Sequence, residues 1–464
     1  MMGMSPTRRS APAISAPLIL FITCLGCFTA QIDTSVVTLA LRRMGDALGM
    51  GVAGLQAVVD SYNVAYASFL LTGGTLGDLY GRRRVLLMGF ALFALGSAAS
   101  GVAPGPGLLV AGRAVSGLGA ALLVPTSLAI LAVAYPEPAR RGRAIGIWAA
   151  CNGLAFAVGP TVGGWLVDAG GWRSIFLAIV PVGALGLALA WTSIPDSRDL
   201  GGRRLDLPGQ VLAISALAAL TLVAIEAPHW GWLAPATLAA AAVFLVAGFV
   251  FVMVERRTPG AMVPLDLLAR PRLSTSMAVA FCMTFGMYGM LFLMPLYLQL
   301  ARGDSVFVAG AELLPLSLTF FVVSSASGPL AARVGRRAMM MAGQSFMGLG
   351  LVGLILAVPG KALLPLELAM TVVGLGLGLN TGPVMTEAVS SLSEVRSGTA
   401  SGLTNTARMV GATLGVAIQG AVFAALGGMI AGLGPALGVG AAAEFLGAPI
   451  AWGLAARRLV PEPG

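Results

Sequence analysis

Residues 74–84 read GTLGDLYGRRR, and residues 328–337 read GPLAARVGRR. At a spacing of 254 residues, Gly74, Leu76, Gly81, Arg82 and Arg83 recur as Gly328, Leu330, Gly335, Arg336 and Arg337. Each copy lies between the second and third members of a run of six long apolar stretches. A duplicated loop in duplicated surroundings marks two parallel units of six helices each. The spacing exceeds half of the 464 residues, so further chain is inserted between the units.

Outward from the first copy, apolar stretches fall near 17–41, 54–76, 85–103, 107–134, 143–167 and 174–194. Two more follow at 208–228 and 233–254. A second six occupies 274–300, 305–330, 337–359, 363–386, 397–425 and 436–456. Each is long enough to cross a bilayer, which takes about 20 apolar residues. The composition agrees: 57% of the chain is hydrophobic besides its 63 glycines, and 10% is charged, against roughly 25% in a soluble domain. The expected architecture is an all-α membrane protein of 14 spans. It divides into a tail at 1–16, a bundle at 17–196, two inserted helices at 197–260, a bundle at 261–456 and a tail at 457–464.

The basic residues test this layout independently, because positive charge collects in short cytoplasmic loops. With the amino terminus inside, twenty-one of the 28 fall on the cytoplasmic side, including Arg82–Arg84 and Arg336–Arg337. Five fall outside (Arg42, Arg43, Arg173, Arg302, Lys361) and two within spans, Arg113 and Arg408. Both termini are therefore expected in the cytoplasm, with the protein in the cytoplasmic (inner) membrane. The net charge of +9 serves this orientation and does not point to nucleic acid. The only lysine, Lys361, precedes Ala362, so the Gly-Lys-Ser/Thr of a phosphate-binding loop is missing. His229 is the only histidine, which excludes paired-histidine metal sites. No metal, cofactor or catalytic residue is expected. Cys24 and Cys27 have redox-motif spacing, but with no second pair they read as small filling on a lipid-facing helix. The apolar run after Arg8 and Arg9 lacks a cleavage site and reads as the first span.

Three motifs now carry a family resemblance. The loop at 74–84 resembles the signature between the second and third helices of the major facilitator superfamily. LLVAGRAVSGLGAA (108–121) resembles its fourth-helix signature around an arginine, and GLAFAVGPTVGGWL (153–166) its fifth-helix exporter motif. With QIDTSVVTLAL (31–41) in the first span, the chain is similar to the fourteen-helix drug:proton antiporter family. The resemblance implies alternating access between two bundles.

Each motif also has a physical reading. In the loop, Gly74 and Gly81 permit a tight turn, while Asp78 can accept hydrogen bonds from a helix N-terminus or from an arginine of its own loop, Arg82 or Arg83, a latch that forms in one conformation and breaks in another; the alternative is that Arg82–Arg84 only fix the topology. Ala332 replaces the aspartate in the second copy, so a latch there is expected to be weakened or absent. In 153–166, Gly153, Gly159, Gly163 and Gly164 form a small-residue face, and Pro160 removes a backbone donor, giving a hinge or a tight seam.

Charge at bilayer depth costs about 2.5 to 3.5 kcal/mol, so each instance asks for a role. Asp33, Asp60 and Arg113 fall at similar depth and are expected to form a polar cluster if spans one, two and four are neighbours. Asp33 is the candidate for the coupling proton or a cationic substrate, with Arg113 tuning how tightly the proton is held; a static ion pair, Asp60 with Arg113 above all, is the alternative. Glu312 is a second acid, with solvation near the surface equally open, and Arg408 is a cavity candidate of open role. Glu226, His229, Glu387 and Glu394, near span ends, are expected to be solvated. Met283, Met287, Met290 and Met294 recur at helical spacing and read as lipid or core packing. The expected function is proton-coupled efflux of small hydrophobic or cationic compounds, such as antibiotics, by a monomer whose partners are its substrate, protons and lipid. A dedicated exporter of one metabolite is the alternative, and a non-transporting membrane receptor a weaker one.

Overall fold

The structure is a computed structural model and describes residues 16–197, 206–258, 263, 265–360, 362–392, 397–428 and 431–453. Arg8, Arg9, Arg198, Arg203, Arg204, Lys361, Glu394, Arg396, Arg457 and Arg458 lie outside these, as does the side chain of His229. The described chain is almost entirely helical.

The first six long helices are α1 (Ala16–Leu48), α2 (Val52–Tyr80), α3 (Arg82–Gly101), α4 (Pro106–Ala134), α5 (Pro138–Gly170) and α6 (Arg173–Ser193). The inserted pair is α7 (Leu207–Trp230) and α8 (Pro235–Arg257), and a short α9 (Leu265–Leu268) follows. The second set is α10 (Pro271–Leu300), α11 (Val306–Glu312) continuing into α12 (Leu314–Val334), α13 (Arg336–Ala357), α14 (Leu363–Val389), α15 (Ser397–Ala425) and α16 (Leu433–Gly453). Among the described residues, 12 helices are long and apolar enough to cross a membrane, or 13 with α5 counted as one bent span. The fourteenth long helix, α2, falls outside that set because Gln56, Asp60 and Asn63 interrupt its apolar run. Fourteen spans are compatible with this set.

The packing repeats as the sequence does. In the first set α3 lies on α4 and α6, α2 on α4, and α1 on α5; in the second α13 lies on α14 and α16, α12 on α14, and α10 on α15. The duplicated loops share one backbone geometry: Gly81 has φ 106° and Gly335 φ 92°, a region where a side chain is strained and glycine is not. The sets meet along two equivalent seams, α2 against α15 and α5 against α11 and α12, with α1 facing α10 between them. The inserted α7 packs on both α2 and α15, and α8 packs on α7. Helix α10 is the core, with 83% of its most apolar stretch buried; for α8 the figure is 17%, so α8 turns its leucines, valines and Phe249 to lipid.

One expectation is narrowed here and one changes. Met283, Met287, Met290 and Met294 are all at most 3% exposed, so of the two packings expected for them they take the protein core. Cys24 and Cys27 are also buried: α1 is surrounded by α4, α5, α6 and α10, and small side chains suit an axis approached from every side.

Candidate functional site

Helix α4 reaches its neighbours through small residues. A Cβ on Gly117 would collide with the Tyr62 backbone of α2, and one on Gly112 or Gly119 with α3. This close approach carries Arg113 into the middle of the first set, where it is 1% exposed. Its Nη1 donates to Asp33 Oδ2 at 2.5 Å, its Nε donates to the Val58 carbonyl at 3.3 Å, and its guanidinium lies 4.5 Å from the Tyr62 ring centroid. Tyr62 is held by its own bond to the Ala30 carbonyl at 3.0 Å. Asp33 is fully buried, and its Oδ1 has no partner among the described residues.

Asp33, Asp60 and Arg113 are thus brought to one region, but the pairing differs from the alternative that joined Asp60 to Arg113. Arg113 is engaged by Asp33, and Asp60 stays buried with neither oxygen hydrogen-bonded among the described residues. Asp60 neighbours Asn63 one turn on and does not line the small central space, to which α2 contributes Val59, Tyr62 and Asn63 beside Arg113, Thr34, Phe156, Tyr288 and Leu291. That space is about 10 Å³, room for one water at most, so the site is shut around the ion pair.

Arg408 lies midway along α15. Its Nη1 reaches Asn405 Oδ1 at 3.5 Å, the Thr284 hydroxyl of α10 donates to its carbonyl at 2.6 Å, and its helix forms the seam with α2, where its charge acts on Tyr66 and Tyr288. Glu312 is elsewhere. It is buried at the arginine-poor end, bonded to Arg302 at 3.4 Å, and not solvated as weighed above, because α11 turns it inward. Arg302 also binds Asp304 at 3.1 Å. Partial burial works against its charge, but the two carboxylates hold the guanidinium above its ordinary pKa.

The loop after α2 behaves as its chemistry suggests. Arg82 Nη2 meets Asp78 Oδ1 at 2.9 Å and Arg82 Nη1 reaches the Ala129 carbonyl of α4 at 3.4 Å. Arg83 donates to the Trp191 carbonyl and lies over that indole. Gly74 faces Pro125 of α4, and Gly81 faces Asp196. The second copy departs from expectation. Glu387 of α14 accepts from Arg336 Nε at 2.6 Å and from Arg272 Nε at 2.7 Å, so the loop arginine has an acid partner there too, supplied by a neighbouring helix and not by the loop. Glu387 occupies the position of Ala129, four residues after Pro383 as Ala129 is after Pro125. It is buried, not solvated.

The glycine face of α5 is a seam. A Cβ on Gly159 or Gly163 would strike Ser35 or Val36 of α1, while Gly153 and Gly164 face Phe321 and Phe307 of the second set, and the Pro160 carbonyl faces Gly310. The helix bends by 41° between Arg143–Phe156 and Val158–Gly170, where Pro160 leaves a carbonyl without its donor. The sets are joined by hydrogen bonds at the arginine-poor end: Gln56 Nε2 to Ala417 O (2.8 Å), Gln299 Nε2 to Leu39 O (2.9 Å), Arg42 to Gln299 O, and Phe307 N to Asp168 Oδ2 (2.9 Å).

Sequence reading passed over Glu444, which is fully buried in α16 against Gly286 of α10, with neither oxygen bonded among the described residues. The rule that singled out Asp33, an acid within an apolar span, applies equally to it.

A sequence profile described as the Major Facilitator Superfamily matches residues 23–416. The chain is 39% identical over 408 residues to the multidrug resistance protein Stp of Mycobacterium tuberculosis, covering 88% of this chain and 76% of that one. It is 35% identical over 421 residues to the cephamycin export protein CmcT of Amycolatopsis lactamdurans, covering 90% and 87%. Among solved structures, the partially occluded inward-open xylose transporter XylE of E. coli superposes with a TM-score of 0.64 at 16% identity, over 96% of this chain and 100% of that one.

Proposed function

This chain belongs to the Major Facilitator Superfamily, and from that premise we propose that it exports small, largely hydrophobic compounds of the antibiotic kind in exchange for protons. The names of its relatives support the export reading. The observation that carries the proton is the Asp33–Arg113 pair: an acid with no exposed surface, one oxygen bonded to arginine and one unbonded, beside a closed space at the seam. Protonating Asp33 removes the attraction to Arg113, so hydrogen-ion binding and rearrangement of α1 against α4 become one event. The two helix sets act as the moving bodies, with 17–196 and 261–456 as their limits. The Asp78–Arg82 and Glu387–Arg336 pairs act as the latches of the arginine-rich end and the α5 glycine face as the seam that opens at the other. Both termini lie in the cytoplasm, in the bacterial inner membrane, and the monomer is the working unit.

The test is Asp33→Asn in proteoliposomes bearing a proton gradient. Gradient-driven accumulation falls by about tenfold or more, as loss of a coupling of roughly 2.3 kcal/mol per 100 mV requires, while substrate exchange without a gradient persists. Asp33→Glu restores part of the loss. Accumulation that stays coupled in Asp33→Asn sinks the assignment.

A further inference from the structure

One charge at the centre of the protein is unanswered. Arg408 has a single long bond, to Asn405 one turn away in its own helix, and its Nε is buried without a partner among the described residues. No ion pair joins it to Asp33, Asp60, Glu312 or Glu444: Asp33 and Glu312 pair with other arginines, and Asp60 and Glu444 are not bonded to it among the described residues. Its helix lies against α2 and α10, and its charge acts on a phenol of each, Tyr66 and Tyr288. Tyr288 in turn reaches the side chains of Gln31 and Thr34 on α1 and borders the closed space beside Arg113. The other cation there, Arg113, is already neutralised by Asp33. Among the described residues Arg408 is thus a guanidinium with no acid bonded to it, beside phenols of both helix sets, and one of these, Tyr288, leads to the closed space that Phe156 and Leu291 line. Charge without a counter-ion is costly at bilayer depth and marks a ligand pathway.

We propose that Arg408 recognises an acidic substituent, a carboxylate or comparable anion, on the exported compound. This rests on the export reading above and narrows its substrate class. The planar guanidinium takes the anion in a forked pair, the tyrosines and Gln31 bond the adjacent polar atoms, and Phe156 and Leu291 take the apolar body. A compound with a fixed positive charge meets an unscreened like charge at the same spot.

The test uses the full chain in nanodiscs of phosphatidylcholine alone, so that no anionic lipid supplies the counter-charge, with three probes sharing a pyrene body: pyrenebutyrate, its amide and the corresponding trimethylammonium. In fluorescence titrations the butyrate binds about tenfold or more tighter than the amide, and the ammonium binds most weakly. In Arg408→Gln the butyrate drops to the amide's affinity while the amide is unchanged, which also reports an intact fold; Arg408→Lys falls between. Equal affinity for acid and amide in the unmodified protein, or an acid preference that survives Arg408→Gln, overturns the proposal. If the amide or ammonium is nonetheless exported by everted vesicles, the export reading stands without it. If none of the three is bound or exported, both readings fall.

Discussion

A carboxyl group buried in hydrocarbon survives by facing a cation or by staying neutral. Asp33 and Glu387 face arginines, whereas Asp60 and Glu444 have no hydrogen-bond partner among the described residues. The two situations respond differently to amide substitution. Removing one partner of a buried ion pair typically costs about 3 to 5 kcal/mol because the other charge is stranded; Asp33→Asn therefore lowers thermal stability clearly, while Glu444→Gln, which keeps size and neutrality, shifts it by less than about 1 kcal/mol. Parallel thermal melts in detergent check the contrast, and equal losses would show that Glu444 is charged. At this scale the sequence was partly legible. Acids and arginines within apolar spans were visible as anomalies, since hydropathy registers any charge. Which acid meets Arg113 was not, because it depends on how α1, α2 and α4 are rotated about their axes, and a linear depth count ranks Asp33 and Asp60 alike.

Helices were the most legible level, since a run of twenty apolar residues has few other fates in a membrane. The fifth-helix glycines were read as hinge or seam, and the close approaches on both flanks of α5 show how a small-residue stripe brings one helix against two partners. Gly164 is the most exacting position, because its missing side chain leaves room for Phe307 backbone atoms, which have no rotamer to escape into. Gly164→Val is expected to cost about 1 to 3 kcal/mol of packing and to hold the arginine-poor end apart. Cysteines at positions 168 and 307 would then cross-link more slowly than in the parent, and transport would fall in step. In the second copy the loop motif alone does not show the acid, which lies on α14, next in space and distant in sequence; the shared offset from Pro125 and Pro383 aligns Ala129 with Glu387, and packing shows that Glu387 meets Arg336.

For the whole molecule, the two proposals have a joint electrical consequence. A proton entering as an anion leaves moves two charges in the same direction across the membrane. At 100 mV that amounts to about 4.6 kcal/mol, twice the roughly 2.3 kcal/mol of one charge, and it supports a gradient of about two thousandfold. Export of an acidic probe from proteoliposomes should therefore accelerate when a potassium diffusion potential, negative on the side of uptake, is imposed at constant pH, and more steeply than export of its neutral amide. Equal voltage dependence would count against the acid arriving ionised. The orientation assumed here is checked by labelling an engineered cysteine in the 301–305 loop with an impermeant maleimide, which reacts from outside intact cells.

The inserted helices have a further effect on traffic. Because α7 rests on both α2 and α15 and is fastened there by Gln210 bonding to Ser68 and Thr72, one flank of the protein is fenced, and the corresponding flank along α5 and α12 is not. A greasy molecule drifting sideways through the membrane meets a buttress on one wall, and on the other only the contact of α5 with α12.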